Sequence, residues 1–184
     1  PFPPPVPLVN GLTMRAFNML YRWRALSGAP QRNVSWASFF YPLDAVAHWP
    51  RAYGPGGLRQ HQSVIPRAGA ESAGARLLET ARKAGHASFL TVLKSFGEKP
   101  GAGLLSFARP GVTLTLDFAW RGAVTDRLLD RLDAITLSAG GAVNPYKDAR
   151  MSAETFRASF PNWGDFLPFL DPFAESAFSR RVGL

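Results

Sequence analysis

The sequence contains no cysteine. Disulfide frameworks, thiolate metal sites and cysteine nucleophiles are excluded, and the compartment, cytoplasm or periplasm, stays open. It also lacks any apolar run approaching the ~20 residues that a membrane-spanning helix needs, so no membrane span is expected. Charge is sparse, at 18% of the 184 residues, and unbalanced, with 21 Lys plus Arg against 13 Asp plus Glu. A net charge of +8 admits phosphate, nucleic acid or anionic lipid as partners. The basic residues are mostly single arginines scattered from Arg15 to Arg181, however, with Arg22, Arg24 and Arg180, Arg181 as the densest clusters. No recognition motif accompanies them, and nucleic acid is not an expected partner. His48, His61 and His86 are widely separated without an accompanying carboxylate cluster, so no metal site is expected. The run Tyr53-Gly54-Pro55-Gly56-Gly57 has neither the spacing nor the following helix of a nucleotide loop.

What is present is a core. The chain is 46% hydrophobic and 12% aromatic, enough for one ordinary domain and incompatible with general disorder. Residues 1–9 are proline-rich and read as an extended linker, because proline at that density fixes the backbone and removes hydrogen-bond donors. Apolar spacing predicts an amphipathic helix from Leu12 to Ala25, and then an irregular aromatic stretch over 31–56 with one helical turn near Asp44 to Trp49. From Gly57 the pattern becomes regular. It predicts a strand at Leu58 to Ile65, a helix at Ala70 to Ala84 facing inward through Leu77, Leu78, Ala81 and Ala84, and strands at Ala87 to Phe96 and Val112 to Trp120. A helix at Val124 to Ser138, buried through Val124, Leu128, Leu132 and Ile135, then precedes a short strand at Ala142 to Pro145. Ser152 is placed to cap a further helix through Ser159, and residues 160–178 hold aromatics in short proline-punctuated helices that suit packing against a neighbour.

Strand, helix, strand, strand, helix, strand is a doubled β-α-β unit of the ferredoxin-like kind. The expected class is α+β, an antiparallel sheet with helices on one face. The other face is free to carry a site. Successive strand residues point to opposite faces, so Gln60, Gln62 and Val64 share one face, and Thr113, Thr115 and Asp117 oppose Leu114, Leu116 and Phe118. With Lys94, this face offers amides, hydroxyls and an ammonium, a lining suited to a polyhydroxylated or phosphorylated ligand, although the same pattern serves a solvated sheet face. Lys147 follows a short strand and the Gly140-Gly141 stop.

A colinear series of residues gives a more specific signal. It runs through Tyr41-Pro42-Leu43-Asp44, Trp49, Tyr53-Gly54, Gly57, Gln60-His61-Gln62 and Val64-Ile65-Pro66. It continues through Gly85-His86, Ser88-Phe89-Leu90, Val92, Lys94, Phe96-Gly97, Leu105-Ser106-Phe107, Pro110-Gly111 and Asp117-Phe118. It ends with Gly140-Gly141, Lys147-Asp148, Arg150, Glu154-Thr155-Phe156, Phe160-Pro161, Asp171-Pro172 and Ser179-Arg180-Arg181. Over essentially the whole chain this series resembles FAD-linked sugar oxidases of the vanillyl-alcohol oxidase superfamily, the decaprenylphosphoryl-β-D-ribose 2′-oxidases among them.

The resemblance implies that residues 10–139 are a substrate domain and 140–184 a C-terminal segment returning to an FAD-binding domain. That N-terminal flavin domain would be the partner, and this polypeptide alone would hold FAD poorly and be inactive. The implied reaction is hydride transfer to flavin from a secondary alcohol of a sugar or lipid-linked phosphosugar, giving a ketone. By position, Lys147 matches the lysine that reaches both flavin and substrate, and is expected to be catalytic and cofactor-binding. Gln60, Gln62 and Lys94 match substrate-pocket residues. Thr113 and Thr115 stand where close relatives carry Asn and Cys, and Asn144, beside the flavin, where they carry Tyr; these departures leave the exact alcohol open. The competing expectation is a stand-alone ferredoxin-like module that binds a phosphorylated ligand or a partner protein.

Overall fold

The computed structural model describes residues 4–28, 31, 33–41, 46–99, 101–147, 150–171 and 173–184. Pro42, Leu43, Asp44, Asp148 and Pro172, which contribute to the resemblance, lie outside the described residues, as do the first two residues of the helical turn expected from Asp44 to Trp49.

Helix α1 spans Gly11–Ser27 and is set by Asn10, whose side chain accepts from the backbone N–H of Leu12 and Thr13 in a capping box. The expected helix is there, and most of its apolar residues are exposed. Met14 is buried against Val9, Tyr53 and Ala119, and Phe17 packs on Phe89 with ring centroids 6.0 Å apart, whereas Leu12, Leu20, Tyr21 and Trp23 are exposed. Helix α2, Trp36–Phe40, starts at the Ser35 cap and is fully exposed. A 3-10 turn at Trp49–Tyr53 then leads into the sheet, placing helical structure in the stretch read as irregular. The end of the expected linker is docked: Leu8 and Val9 donate from their backbone N–H to the Ala52 carbonyl, and Val9 is buried.

Strand β1 is Leu58–Ile65, followed by α3, Arg67–Lys83. Helix α3 begins directly after Pro66, three residues before the predicted start: Pro66 ends the strand, and Gly69, the one weak helix former of Arg67-Ala68-Gly69, falls in the first turn. Strands β2, Ser88–Phe96, and β3, Gly111–Ala119, precede α4, Ala123–Ser138, and β4, Ala142–Val143. After a 3-10 turn at Pro145–Lys147 come α5, Ala153–Ser159, capped by Ser152 as expected, then α6, Trp163–Phe166, a 3-10 turn at Leu167–Phe169, and α7, Ala177–Val182.

The strands form one sheet in the order β2-β3-β1-β4, every pair antiparallel. This is the doubled β-α-β topology and an α+β fold. Helices α3 and α4 cover one face, where Ile65, Leu114, Leu116 and Phe118 meet Ala73, Leu77, Ala81, Leu128, Leu129 and Leu132. Each fully buried Leu or Phe here contributes about 1.5–3 kcal/mol. Leu78 and Val124, expected inward, are exposed; the buried stripe runs instead through Ala73 on α3 and Leu129 on α4. A second cluster packs Val143 with Met151, Phe156, Phe160 and Val182, so the C-terminal helices are built onto the β4 side of the domain. Arg150 fastens this segment to α4 through ion pairs with Asp130 and with Asp133, the latter at 2.9 Å, and Asp133 in turn faces His61 at 3.2 Å.

Candidate functional site

On the face away from α3 and α4, side chains meet in rows fixed by the strand register. Lys94 on β2 is paired with Thr113 on β3, and Thr113 with Val64 on β1. In the next row Val92 is paired with Thr115 and Thr115 with Gln62, and Asn144, just past β4, donates its backbone N–H to the Gln62 carbonyl at 2.8 Å. Gln60 pairs with Asp117 in a third row. Gln60, Gln62, Lys94, Thr113, Thr115 and Asn144, named separately from the sequence, therefore share one sheet face. Lys147 follows in the 3-10 turn after β4, close enough for its charge to act on Asp117.

The amides form a directed chain. The Tyr146 backbone N–H donates to Asn144 Oδ1 at 3.0 Å, Asn144 Nδ2 to Gln62 Oε1 at 2.7 Å, and Gln62 Nε2 to Thr113 Oγ1 at 3.1 Å. A backbone donor at one end fixes the orientation of every amide after it. Lys94 and Lys147 are exposed and neither is in an ion pair with a described residue. Two exposed ammonium groups flanking oriented amides and hydroxyls can hold an anionic, hydroxyl-bearing ligand.

The polar face is less open than alternation alone suggests. Thr113 is buried and Asp117 has no exposed surface. Tyr53 and the 3-10 turn that carries it pack with Val9, Met14, Ala119, Leu58 and Phe89 across one end of this face. The sequence places Asp117 on the polar face but assigns it no role; the structure makes it the most constrained residue there. Gln60 Nε2 donates to its Oδ1 at 2.5 Å and the Ser88 hydroxyl accepts from its backbone N–H, while Oδ2 has no hydrogen-bond partner among the described residues. Burial pushes the Asp117 carboxyl above its ordinary value, against the opposing effects of the Gln60 hydrogen bond and the Lys147 charge. Tyr53, whose hydroxyl is also buried without a partner, is pushed up by its own burial and by the Asp117 charge. The available signal was a lone carboxylate in an otherwise apolar and hydroxylic strand, opposite a glutamine.

A raised folded-state pKa means that the folded chain binds this proton more tightly than the unfolded one. The Asp117 contribution to stability is therefore greatest below the unfolded value near 3.8 and is lost as pH rises through the folded value. Asp117→Asn removes the buried charge, and we expect the variant to be about 1 kcal/mol more stable than the parent at neutral pH. Urea midpoints at pH 7 and pH 4.5 check this, and the gain should shrink at the lower pH.

The same face belongs to a sequence with a recorded counterpart. Over 185 aligned positions the chain is 35% identical to the decaprenylphosphoryl-beta-D-ribose oxidase of Mycolicibacterium smegmatis. This chain is similar to that oxidase. The match takes in 96% of this chain but 39% of the oxidase, so the chain spans about two-fifths of the length of the relative it matches. No family model matches the chain.

Proposed function

We propose that this chain supplies the substrate-binding sheet and one catalytic lysine of an FAD-dependent oxidoreductase acting on a secondary alcohol of a sugar or lipid-linked phosphosugar. The observation that carries the reading is the pair of cations, Lys94 and Lys147, in no ion pair with a described residue and flanking the amide and hydroxyl rows of one sheet face, in a chain similar to a decaprenylphosphoryl-beta-D-ribose oxidase. In this reading residues 10–139 form the substrate domain and 140–184 a segment that meets the flavin domain.

The residues suit a flavin edge. Lys147 is exposed and its backbone N–H donates to the Asn144 carbonyl at 3.3 Å, so its ammonium is carried by the turn that the oriented Asn144 opens, where a cation would stabilise an anionic ring. Bound FAD supplies the hydride acceptor. Lys94 holds the phosphate or a substrate hydroxyl, Gln60 and Gln62 orient the sugar, Thr113 and Thr115 bound the pocket floor, and Lys147 holds the reacting oxygen. The exposed Trp23, Trp36, Phe39 and Phe40 of α1 and α2, with Phe169 and Phe173 near the C-terminus, suit burial against the proposed flavin domain.

The test is an NMR titration of the isotope-labelled chain with a short-chain prenylphosphoryl-β-D-ribose. Saturable shifts below ~1 mM are expected at Gln60, Gln62, Lys94, Asn144 and Lys147. Shifts confined to the helix-covered side, or no saturation, would remove the reading.

A further inference from the structure

A carboxamide has a donor end and an acceptor end. Both ends of Gln62 are engaged inside the protein, by Asn144 and by Thr113. Gln60 differs. Its Nε2 end is bonded to Asp117 Oδ1, and no hydrogen bond engages its Oε1 among the described residues. Gln60 is half-buried whereas Asp117 is fully buried, so the pair runs from beneath the sheet face to its open side. An ionised carboxylate accepts and cannot donate, so it draws the NH2 end inward and leaves the carbonyl oxygen outward.

Nothing in the packing calls for a carboxylate at this position. Its second oxygen is buried without a hydrogen-bond partner among the described residues, an arrangement that costs stability and that an apolar residue would avoid. Among the described residues, the cation whose charge reaches it is Lys147, and the titratable group that faces it is Tyr53.

We propose that Asp117 is a positioning residue that fixes the Gln60 carboxamide with its carbonyl oxygen toward the ligand, so that this end of the site accepts a hydrogen bond from a ligand hydroxyl. Together with Lys94 and Lys147, that acceptor selects ligands carrying both a free hydroxyl and an anionic group, and discriminates against deoxy analogues in which Gln60 Oε1 is left unpaired. The inference rests on the reading of this face as a sugar-phosphate site.

Two measurements separate the inference from that reading. The first needs no ligand: in the labelled chain, one Gln60 side-chain amide proton should resonate downfield of the other glutamines and return to the common position in Asp117→Asn. A Gln60 amide at the common position in the parent overturns the proposal. Should Asp117→Asn not fold, Gln60→Glu serves instead, because two carboxyls in contact share a proton. One of them should then titrate well above the usual carboxylate range, and ordinary titration of both overturns the proposal.

The second measurement is a cycle of dissociation constants for the short-chain prenylphosphoryl-β-D-ribose. Asp117→Asn and Gln60→Ala should each weaken binding about five- to tenfold, the double variant being no weaker than Gln60→Ala. Additive losses mean that Asp117 acts other than through Gln60, and overturn the proposal. If the parent chain does not bind the probe, the sugar-phosphate reading fails and ligand selection with it, while the amide resonance still decides whether Asp117 orients Gln60.

Discussion

Lys147→Ala, introduced into a protein that carries both this chain and a bound flavin, is expected to slow flavin reduction by substrate about 10²–10³-fold. The physical basis is position. Lys147 lies in the turn that closes the Gln62–Asn144 bridge, its ammonium pairs with no described carboxylate, and its charge already acts on the polar face as far as Asp117. A cation held there with no counter-ion among the described residues is placed to stabilise charge that develops on reacting groups. Lys147→Arg should recover part of the rate, because the guanidinium keeps the charge but spreads it over a planar fork that does not superimpose on a compact ammonium. Stopped-flow absorbance of the flavin makes the measurement. Reduction of Lys147→Ala at the parental rate would exclude Lys147 from the chemistry.

The second large effect is structural. A Cβ on Gly141 would lie 2.5 Å from the Val64 carbonyl oxygen and 2.9 Å from that of Thr136, both backbone atoms that no side-chain rotation can move. Gly141 also donates its N–H to the Thr136 carbonyl at 2.9 Å, tying the end of α4 to the start of β4. Gly141→Ala must push β4 away from β1, and we expect a loss of about 3 kcal/mol and a fall of about 6–12 °C in the unfolding midpoint. Because β4 leads directly to Asn144 and Lys147, ligand-induced shifts at those residues should disappear with it. Gly74→Ala on α3 is the control: nothing lies within 4 Å of its added Cβ, and exchanging a mid-helix glycine for alanine should stabilise the chain by about 0.5–1 kcal/mol. A melting temperature for Gly141→Ala equal to the parent's would refute the close-approach argument.

Local periodicity carried the sheet and its two long helices into plain view. Gln60 and Gln62 on one face of β1, and Thr113, Thr115 and Asp117 on the matching face of β3, follow from the alternation of side chains along a strand. The strand order, with β3 and not β2 beside β1, follows from the connectivity expected of a doubled β-α-β unit. What alternation does not reveal is which residues from elsewhere in the chain lie over that face. Tyr53 reaches Asp117 from a proline-interrupted stretch with no period, so the burial of Asp117 was invisible in β3 itself. Helix α1 shows the converse. Its spacing gave the helix but not which of its apolar residues are covered, because a periodic stripe records that a face is apolar and not what covers it. The directed chain from Tyr146 through Asn144 and Gln62 to Thr113 needed coordinates, since it joins residues up to 82 positions apart.

Strand β2 pairs on one side only, with β3, and its other border carries backbone groups that no strand of the described residues engages. The segment Thr91-Val92-Leu93-Lys94-Ser95-Phe96 is rich in strand-forming residues, and Leu93 is exposed. Such a border is a template on which a second copy could add a strand, and a charged side chain is the common obstacle to that pairing. Lys94 is the single charge in this stretch. The ammonium proposed to hold a phosphate would therefore also keep the protein from self-assembling, and an uncharged residue in its place would sacrifice ligand affinity and colloidal stability together.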